Sequence, residues 1–201
     1  MEDAFKNIHK KNIWGGGSGT GSKMTRNNKK YIEKLQKVIK DKDINSICDV
    51  GCGDWEFSQY IDFSEKEYLG IDCVPDIIKK NKERFSKDNI HFEHKVIGKD
   101  YLPKGYDLII LKDVIQHWTD EDILKYLNEI LINNKFVFCT NGYKFMRDKK
   151  KNDLKNRDIN NKYKYHPVDV DKYPLSEFKE YVLTENKHRA KQMILFTKYF
   201  T

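Results

Sequence analysis

From residue 26 onward, short apolar runs alternate with amphipathic stretches, and that alternation leaves few folds open. Residues 26–41 predict a helix, with Tyr31, Leu35, Val38 and Ile39 at helical spacing and lysines on the opposite face. A buried strand is expected over 45–50, then a helix near 56–61, a strand over 68–71 and a helix over 74–85 with Pro75 in its first turn. Strands follow at 90–97 and 106–111. The second carries Leu108-Ile109-Ile110-Leu111, apolar on both faces as a central parallel strand is. A helix over 120–132 starts at a Thr119 cap with Asp122 at the third position. Strands at 135–140 and 193–200 close the pattern. Strand, helix, strand with short connections predicts an α/β fold: a doubly wound, mostly parallel sheet of about seven strands with helices on both faces.

A chain of 201 residues is sized for a single domain over 1–201. Within it, 1–25 reads as a glycine-rich N-terminal segment, 26–143 as the core, 144–178 as a loop on the substrate side and 179–201 as C-terminal strands. With 13% aromatic residues the chain has enough bulk to bury a core, which argues against disorder. No apolar run approaches the ~18 residues of a membrane span, and the first dozen residues lack the apolar stretch of a secretory signal. A cytoplasmic protein is expected. Cys48, Cys52, Cys73 and Cys139 form no CxxC pair and read as buried, reduced thiols, not a zinc site. The net charge of +7 concentrates in 1–43 and 144–164. It suits an anionic partner, or reflects compositional drift toward Lys, Asn and Ile.

In a parallel sheet the ligand lies at the carboxyl ends of the strands. The first strand there runs into Asp49-Val50-Gly51-Cys52-Gly53-Asp54. Glycines let a ligand approach the backbone closely. A dinucleotide site would place a third glycine where Glu56 stands, and a carboxylate repels a pyrophosphate. Asp72, at the end of the second strand, is an acceptor for the two hydroxyls of a ribose. An acid before the glycines, an acid after the second strand and no phosphate-binding feature together suggest S-adenosylmethionine. Gly16 and Gly21 have P-loop separation, but Ser22 precedes Lys23 and no strand leads in, so triphosphate binding is disfavoured.

On these residues the chain resembles the class I S-adenosylmethionine-dependent methyltransferases, whose fold is Rossmann-like. CDVGCGD (48–54) is similar to the family's glycine motif and YLGIDCV (68–74) to its second-strand acidic motif. The resemblance implies that Asp49, Gly51, Cys52 and Gly53 hold the amino-acid end of the cofactor, Asp72 the ribose and Cys73 the adenine. Val96 and Ile97 stand where the family often has an adenine-binding acid. Trp14, Gly19 and Lys112 are further cofactor candidates.

A narrower resemblance is to small bacterial and large-DNA-virus methyltransferases of glycan pathways. It rests on Trp14 to Ser22, on Lys112-Asp113-Val114-Ile115-Gln116-His117-Trp118, and on Arg157-Asp158-Ile159-Asn160-Asn161 leading to Pro167-Val168-Asp169. It implies sugar O-methylation, with a deoxyhexose such as rhamnose as acceptor on a glycan or sugar nucleotide. The domain of a viral glycan-synthesis protein, in the host cytoplasm, is the nearest match of this kind.

Methyl transfer from a sulfonium is an in-line displacement that mainly needs the nucleophile held in place. A hydroxyl is a weak nucleophile, and a base that removes its proton helps. His117 is the candidate base, with Asp113 orienting it or touching substrate. His166 is an alternative base. Trp118, Asp158, His166 and Asp169 are candidate acceptor contacts. Trp118 could stack on a sugar face, but an indole beside an apolar strand is more often core. Asp113 with Asp169 or Asp171 offers a divalent-ion site, although nothing in the spacing demands a metal. Two other functions stay open: an RNA ribose or other nucleic-acid methyltransferase, and a catalytically silent binding module. The missing Asp/Asn-Pro-Pro-aromatic motif after the fourth strand disfavours chemistry on base amines.

Overall fold

The computed structural model describes residues 2–13, 17–19, 21–144, 166–188 and 190–199. Its helices are α1 (Glu2–Lys10), α2 (Arg26–Asp41), α3 (Pro75–Phe85) and α4 (Asp120–Asn133). Its strands are β1 (Ser46–Val50), β2 (Glu67–Asp72), β3 (Ile90–His94), β4 (Leu108–Lys112), β5 (Phe136–Gly142), β6 (Val182–His188) and β7 (Lys191–Phe196). They form a mostly parallel seven-stranded sheet in the order β3-β2-β1-β4-β5-β7-β6, a Rossmann-like arrangement. The chain divides into two compact units, residues 1–101 with 106–108, and residues 102–105 with 109–201.

In the first unit β1 pairs parallel with β2, and β2 with β3. Helix α2 starts where the Thr25 hydroxyl accepts the Asn28 N–H at 3.3 Å, and it buries Tyr31, Leu35 and Ile39. Trp55 organises an aromatic cluster, with ring centroids 5.1 Å from Phe85 and 5.4 Å from Phe92. Gly70 makes that packing possible: a Cβ there would lie 2.8 Å from the Phe92 ring and 3.1 Å from the Cys52 sulfur.

In the second unit α4 buries Ile123, Leu127, Ile130 and Leu131. The Thr119 hydroxyl caps it by accepting the Asp122 N–H at 3.1 Å, as the sequence predicts. The buried Asn134 amide ends it, donating to the Ile130 and Pro103 carbonyls. β7 runs antiparallel to both β5 and β6, as so short a link between β6 and β7 requires.

Three expectations are corrected. The helix near 56–61 is only a 3-10 turn over Ser58–Tyr60, because Trp55 is left-handed at φ 57° and Ile61 is already extended. The third strand ends at His94, since the Asp100 carboxylate takes the Val96 N–H at 2.8 Å and turns the chain. The last strand spans Lys191–Phe196 instead of 193–200. Helix α1 was not legible in the sequence. Among the described residues no helix is long and apolar enough to cross a membrane.

Candidate active site

In the first unit the chain leaves β1 through three left-handed residues, Gly51 (φ 72°), Gly53 (φ 59°) and Trp55. The first two positions favour glycine, and a bulky Trp in that conformation is strained. The strain is borne because the Trp55 indole is buried and donates to the Tyr68 hydroxyl at 2.8 Å. That hydroxyl donates in turn to the buried Asp49 carboxylate at 2.7 Å. Asp49 is thus fixed from beneath the turn. The Gly51 and Cys52 N–H groups share the Ile71 carbonyl, and the Gly53 N–H donates to Asp72 at 3.1 Å. The other Asp72 oxygen accepts the Val74 N–H at 2.9 Å. Burial pushes the Asp72 carboxyl up, while these N–H donors draw it down. The two acids and two glycines named from the sequence therefore meet at one turn.

Cys52 is buried and Cys73 half-buried, and burial raises both thiols above their ordinary range. Neither is suited to act as a thiolate. Val96 and Ile97 are buried just past β3. Gly19 is buried in the N-terminal segment, while Trp14 lies outside the described residues. Glu56 pairs with Arg84 at 2.9 Å. Beside the turn an open groove of about 360 Å³ is lined by Met24, Tyr60, Lys23 and Asp54, and Tyr60 is 63% exposed.

In the second unit Asp113 follows β4 in the left-handed conformation, φ 61°. Its oxygens are held by the ammonium groups of Lys112, at 2.9 Å, and Lys191. The structure thus gives the carboxylate two lysines in place of the His117 imidazole expected from sequence. His117 ends the 3-10 turn Ile115–His117 and is half-buried. The His166 N–H donates to the carbonyl of Gln116, the residue before His117, at 2.9 Å. Its Nε2 lies 4.0 Å from an Asp120 oxygen.

Gln116 and Asn141 carry structural roles the sequence did not reveal. Both are buried. The Gln116 side chain accepts the Gly142 N–H at 2.9 Å, and the Asn141 amide donates to the Val168 carbonyl. Asn141 near the end of β5 and Gln116 in the turn after β4, both polar residues beside apolar runs, were the available signal.

Trp118 is corrected to core: it is 1% exposed and packs edge-on to Tyr126 with centroids 5.6 Å apart, so its ring presents no face to a sugar. Asp169 pairs with Lys187 at 3.0 Å, and Asp171 with Lys179 and Lys187 at 2.6 Å each. The three acids of the divalent-ion alternative, Asp113, Asp169 and Asp171, each carry an ammonium partner. Among the described residues no group of three or more His, Cys, Asp and Glu is arranged to hold a metal ion. Asp158 lies outside the described residues.

Burial pushes the Asp113 carboxyl up, but Lys112 and Lys191 outweigh it and hold it well below the ordinary carboxylate range. A lowered folded pKa contributes stability above the unfolded value of about 4, and that contribution is lost only as pH falls below it. Asp113→Asn should therefore cost about 2 kcal/mol at neutral pH. In denaturant titrations the gap to wild type should close progressively below about pH 4.

Residues 48–133 match a family model described as a methyltransferase domain. The match spans 86 of the 201 residues. The matched segment and the fold support an S-adenosylmethionine-dependent methyltransferase. No curated protein matches the sequence closely enough to count as a relative. Solved structures do resemble it in fold. The methyltransferase domain of bacterial CtHen1-C is 17% identical, with a TM-score of 0.64 over 85% of this chain and 97% of its own. Magnesium protoporphyrin IX methyltransferase from Synechocystis PCC 6803, solved with S-adenosylhomocysteine, is 12% identical, with a TM-score of 0.64 over 97% of this chain and 98% of its own. The 16S rRNA methylase ArmA is 12% identical, with a TM-score of 0.58 over 99% and 91%. At these identities the shared fold is what the likeness establishes. The matched domain holds the whole glycine turn, Asp72, Asp113 and His117.

Proposed function

We propose that the protein is an O-methyltransferase that transfers a methyl group from S-adenosylmethionine to a sugar hydroxyl of a glycan or sugar nucleotide, within a glycan pathway. The observation that carries the hydroxyl reading is the segment from the last residue of β4, Lys112 to Trp118, which supplies an imidazole in the 3-10 turn after that strand and no Pro-Pro-aromatic element.

The donor set at the turn suits this cofactor. Positive-φ glycines leave room for close approach, Asp72 offers a carboxylate for two hydroxyls, and Val96 and Ile97 offer apolar contact. Asp49, Gly51, Cys52 and Gly53 would hold the amino-acid end and Cys73 would border the adenine, with Gly19, Trp14 and Lys112 as further contacts. S-adenosylmethionine supplies an electrophilic methyl on a sulfonium. His117 accepts the hydroxyl proton as the oxygen attacks. His166, tied through its backbone to Gln116, is the alternative base. Asp158, His166 and Asp169 contact the acceptor. Asp113 holds its two lysines at the end of β4. The groove beside Tyr60 has the size of a small-ligand site and is a place for an acceptor ring.

A second reading, methylation of RNA, draws support from the net charge of +7 and from a neighbour described as a 16S rRNA methylase. The test has two stages. Calorimetry with S-adenosylmethionine and S-adenosylhomocysteine should show micromolar binding. Methyl transfer should then appear on glycans with deoxyhexose termini and not on RNA. Transfer to RNA alone, with binding that falls steeply with salt, would replace the sugar reading.

A further inference from the structure

The N-terminal glycine-rich segment and the glycine turn are interlocked through Asp54. The Ser18 N–H donates to Asp54 Oδ2 at 2.7 Å, and the Ser22 hydroxyl donates to the same oxygen at 3.1 Å. In return the Asp54 N–H donates to the Ser18 hydroxyl at 2.9 Å. Each loop supplies a glycine that the other requires. A Cβ on Gly17 would lie 2.1 Å from Asp54 Oδ2, and one on Gly53 would lie 2.6 Å from the Ser18 hydroxyl. Both glycines have positive φ, 56° and 59°. Two loops separated by 36 residues in sequence thus meet with three hydrogen bonds and no space for a methyl group on either side.

The chain before this contact reaches the other end of the same turn. Helix α1 is anchored by Glu2, which lies 3.5 Å from His94 at the end of β3 and 3.3 Å from Lys99. His94 in turn contacts the Cys73 carbonyl at 3.2 Å. His9, near the end of α1, lies close enough to Asp72 and Asp54 for both carboxylates to act on its charge. Phe5 and Ile8 of α1 are half-buried, and no residue of the helix is fully buried. The helix therefore lies over the Asp72 end of the turn without a core of its own.

We infer that Asp54 is a positioning residue that latches the N-terminal segment onto the glycine turn, so that α1 and residues 17–19, 21 and 22 form a wall of the cofactor site. This rests on the methyl-transfer reading, because it takes the glycine turn to be where the cofactor binds. Asp54 acts through Ser18 and Ser22. The acid in the DVGCGD motif that faces the N-terminal segment, Asp54, has a different task from the one that leads it, Asp49. The first fixes the wall to the turn, and the second is fixed beneath the turn by Tyr68.

The test uses the full chain, with S-adenosylhomocysteine as the probe. Calorimetry gives the affinity, and hydrogen exchange read by mass spectrometry gives the protection of residues 17–23. Asp54→Ala should speed exchange across 17–23 and weaken binding about tenfold, the scale of a lost charge-assisted hydrogen bond. Its melting temperature should stay close to wild type. Gly17→Ala should reproduce both effects from the other side of the contact. The double variant should bind no more weakly than either single one, because both remove one latch. Asp54→Asn, which preserves shape and one acceptor oxygen, should fall between wild type and Asp54→Ala.

Wild-type affinity in Asp54→Ala despite faster exchange would overturn the inference, as the segment would then be docked but outside the cofactor site. Unchanged exchange in that variant would overturn it too, and so would additive losses in the double variant. A wild-type chain that binds no S-adenosylhomocysteine would remove the methyl-transfer reading itself, and the inference with it.

Discussion

Asp72→Ala should bind S-adenosylhomocysteine about a hundredfold more weakly than wild type. The variant removes a carboxylate that would accept two ribose hydroxyls, each a hydrogen bond to a charged group worth ~1.5–3 kcal/mol. Two at the lower bound give ~3 kcal/mol, or about a hundredfold in affinity. The same carboxylate accepts the Gly53 and Val74 N–H groups, so its loss also slackens the turn. Asp72→Asn separates the two effects, since it retains an acceptor for one N–H and removes the charge. If charge-assisted bonds to ribose dominate, the Asn variant should lie nearer to Ala than to wild type. Undiminished affinity in both variants would mean that the end of β2 is not where the ribose binds.

His117→Ala should lower the rate of methyl transfer by a factor of about 10² to 10⁴ and leave the affinity for S-adenosylhomocysteine unchanged. The range is what a positioned general base contributes. The split between rate and affinity follows from the location. His117 follows β4, whereas the acids and glycines assigned to the cofactor follow β1 and β2. The assay is single-turnover transfer to whichever glycan the wild type methylates, followed from pH 5 to 9. Wild type should lose rate on the acid side as the imidazole becomes protonated and can no longer accept a proton, and the variant should lack that limb. His166→Ala run in parallel identifies the base. An unchanged rate in His117→Ala with a large loss in His166→Ala would transfer the role to His166.

The sequence made the sheet's framework readable because its signals are local. Leu108 to Leu111, the Thr119 cap and Pro75 each speak for their own element, and all three fall where the sequence placed them. The glycine turn and Asp72 were legible for the same reason, as a motif at the end of an apolar run. Helix α1 escaped notice because its nine residues bury none of their side chains fully. Strand β6 carries Thr184, Glu185, Asn186 and Lys187 in succession, which hides the alternation a strand normally shows. The site details that were missed are long-range pairings. Ser18 with Asp54, Tyr68 with Asp49 and Lys191 with Asp113 join residues 36, 19 and 78 apart, and no spacing rule connects them. Beside an apolar strand the Trp118 indole reads as core more often than as a sugar face, although the sequence leaves both uses open. Its burial decides the matter.

Strand β6 closes one end of the sheet order and β3 the other, and each displays charge. Along β6 the central residues are exposed, and Lys187 is paired with Asp169, Asp171 and Glu185. Along β3, His91, Glu93 and His94 are exposed while Phe92 turns inward. An open strand edge is a template on which another polypeptide can add a strand, and desolvating these charged side chains would oppose that addition. The residues that concealed β6 in the sequence thus guard the sheet against growing beyond its seventh strand into an aggregate.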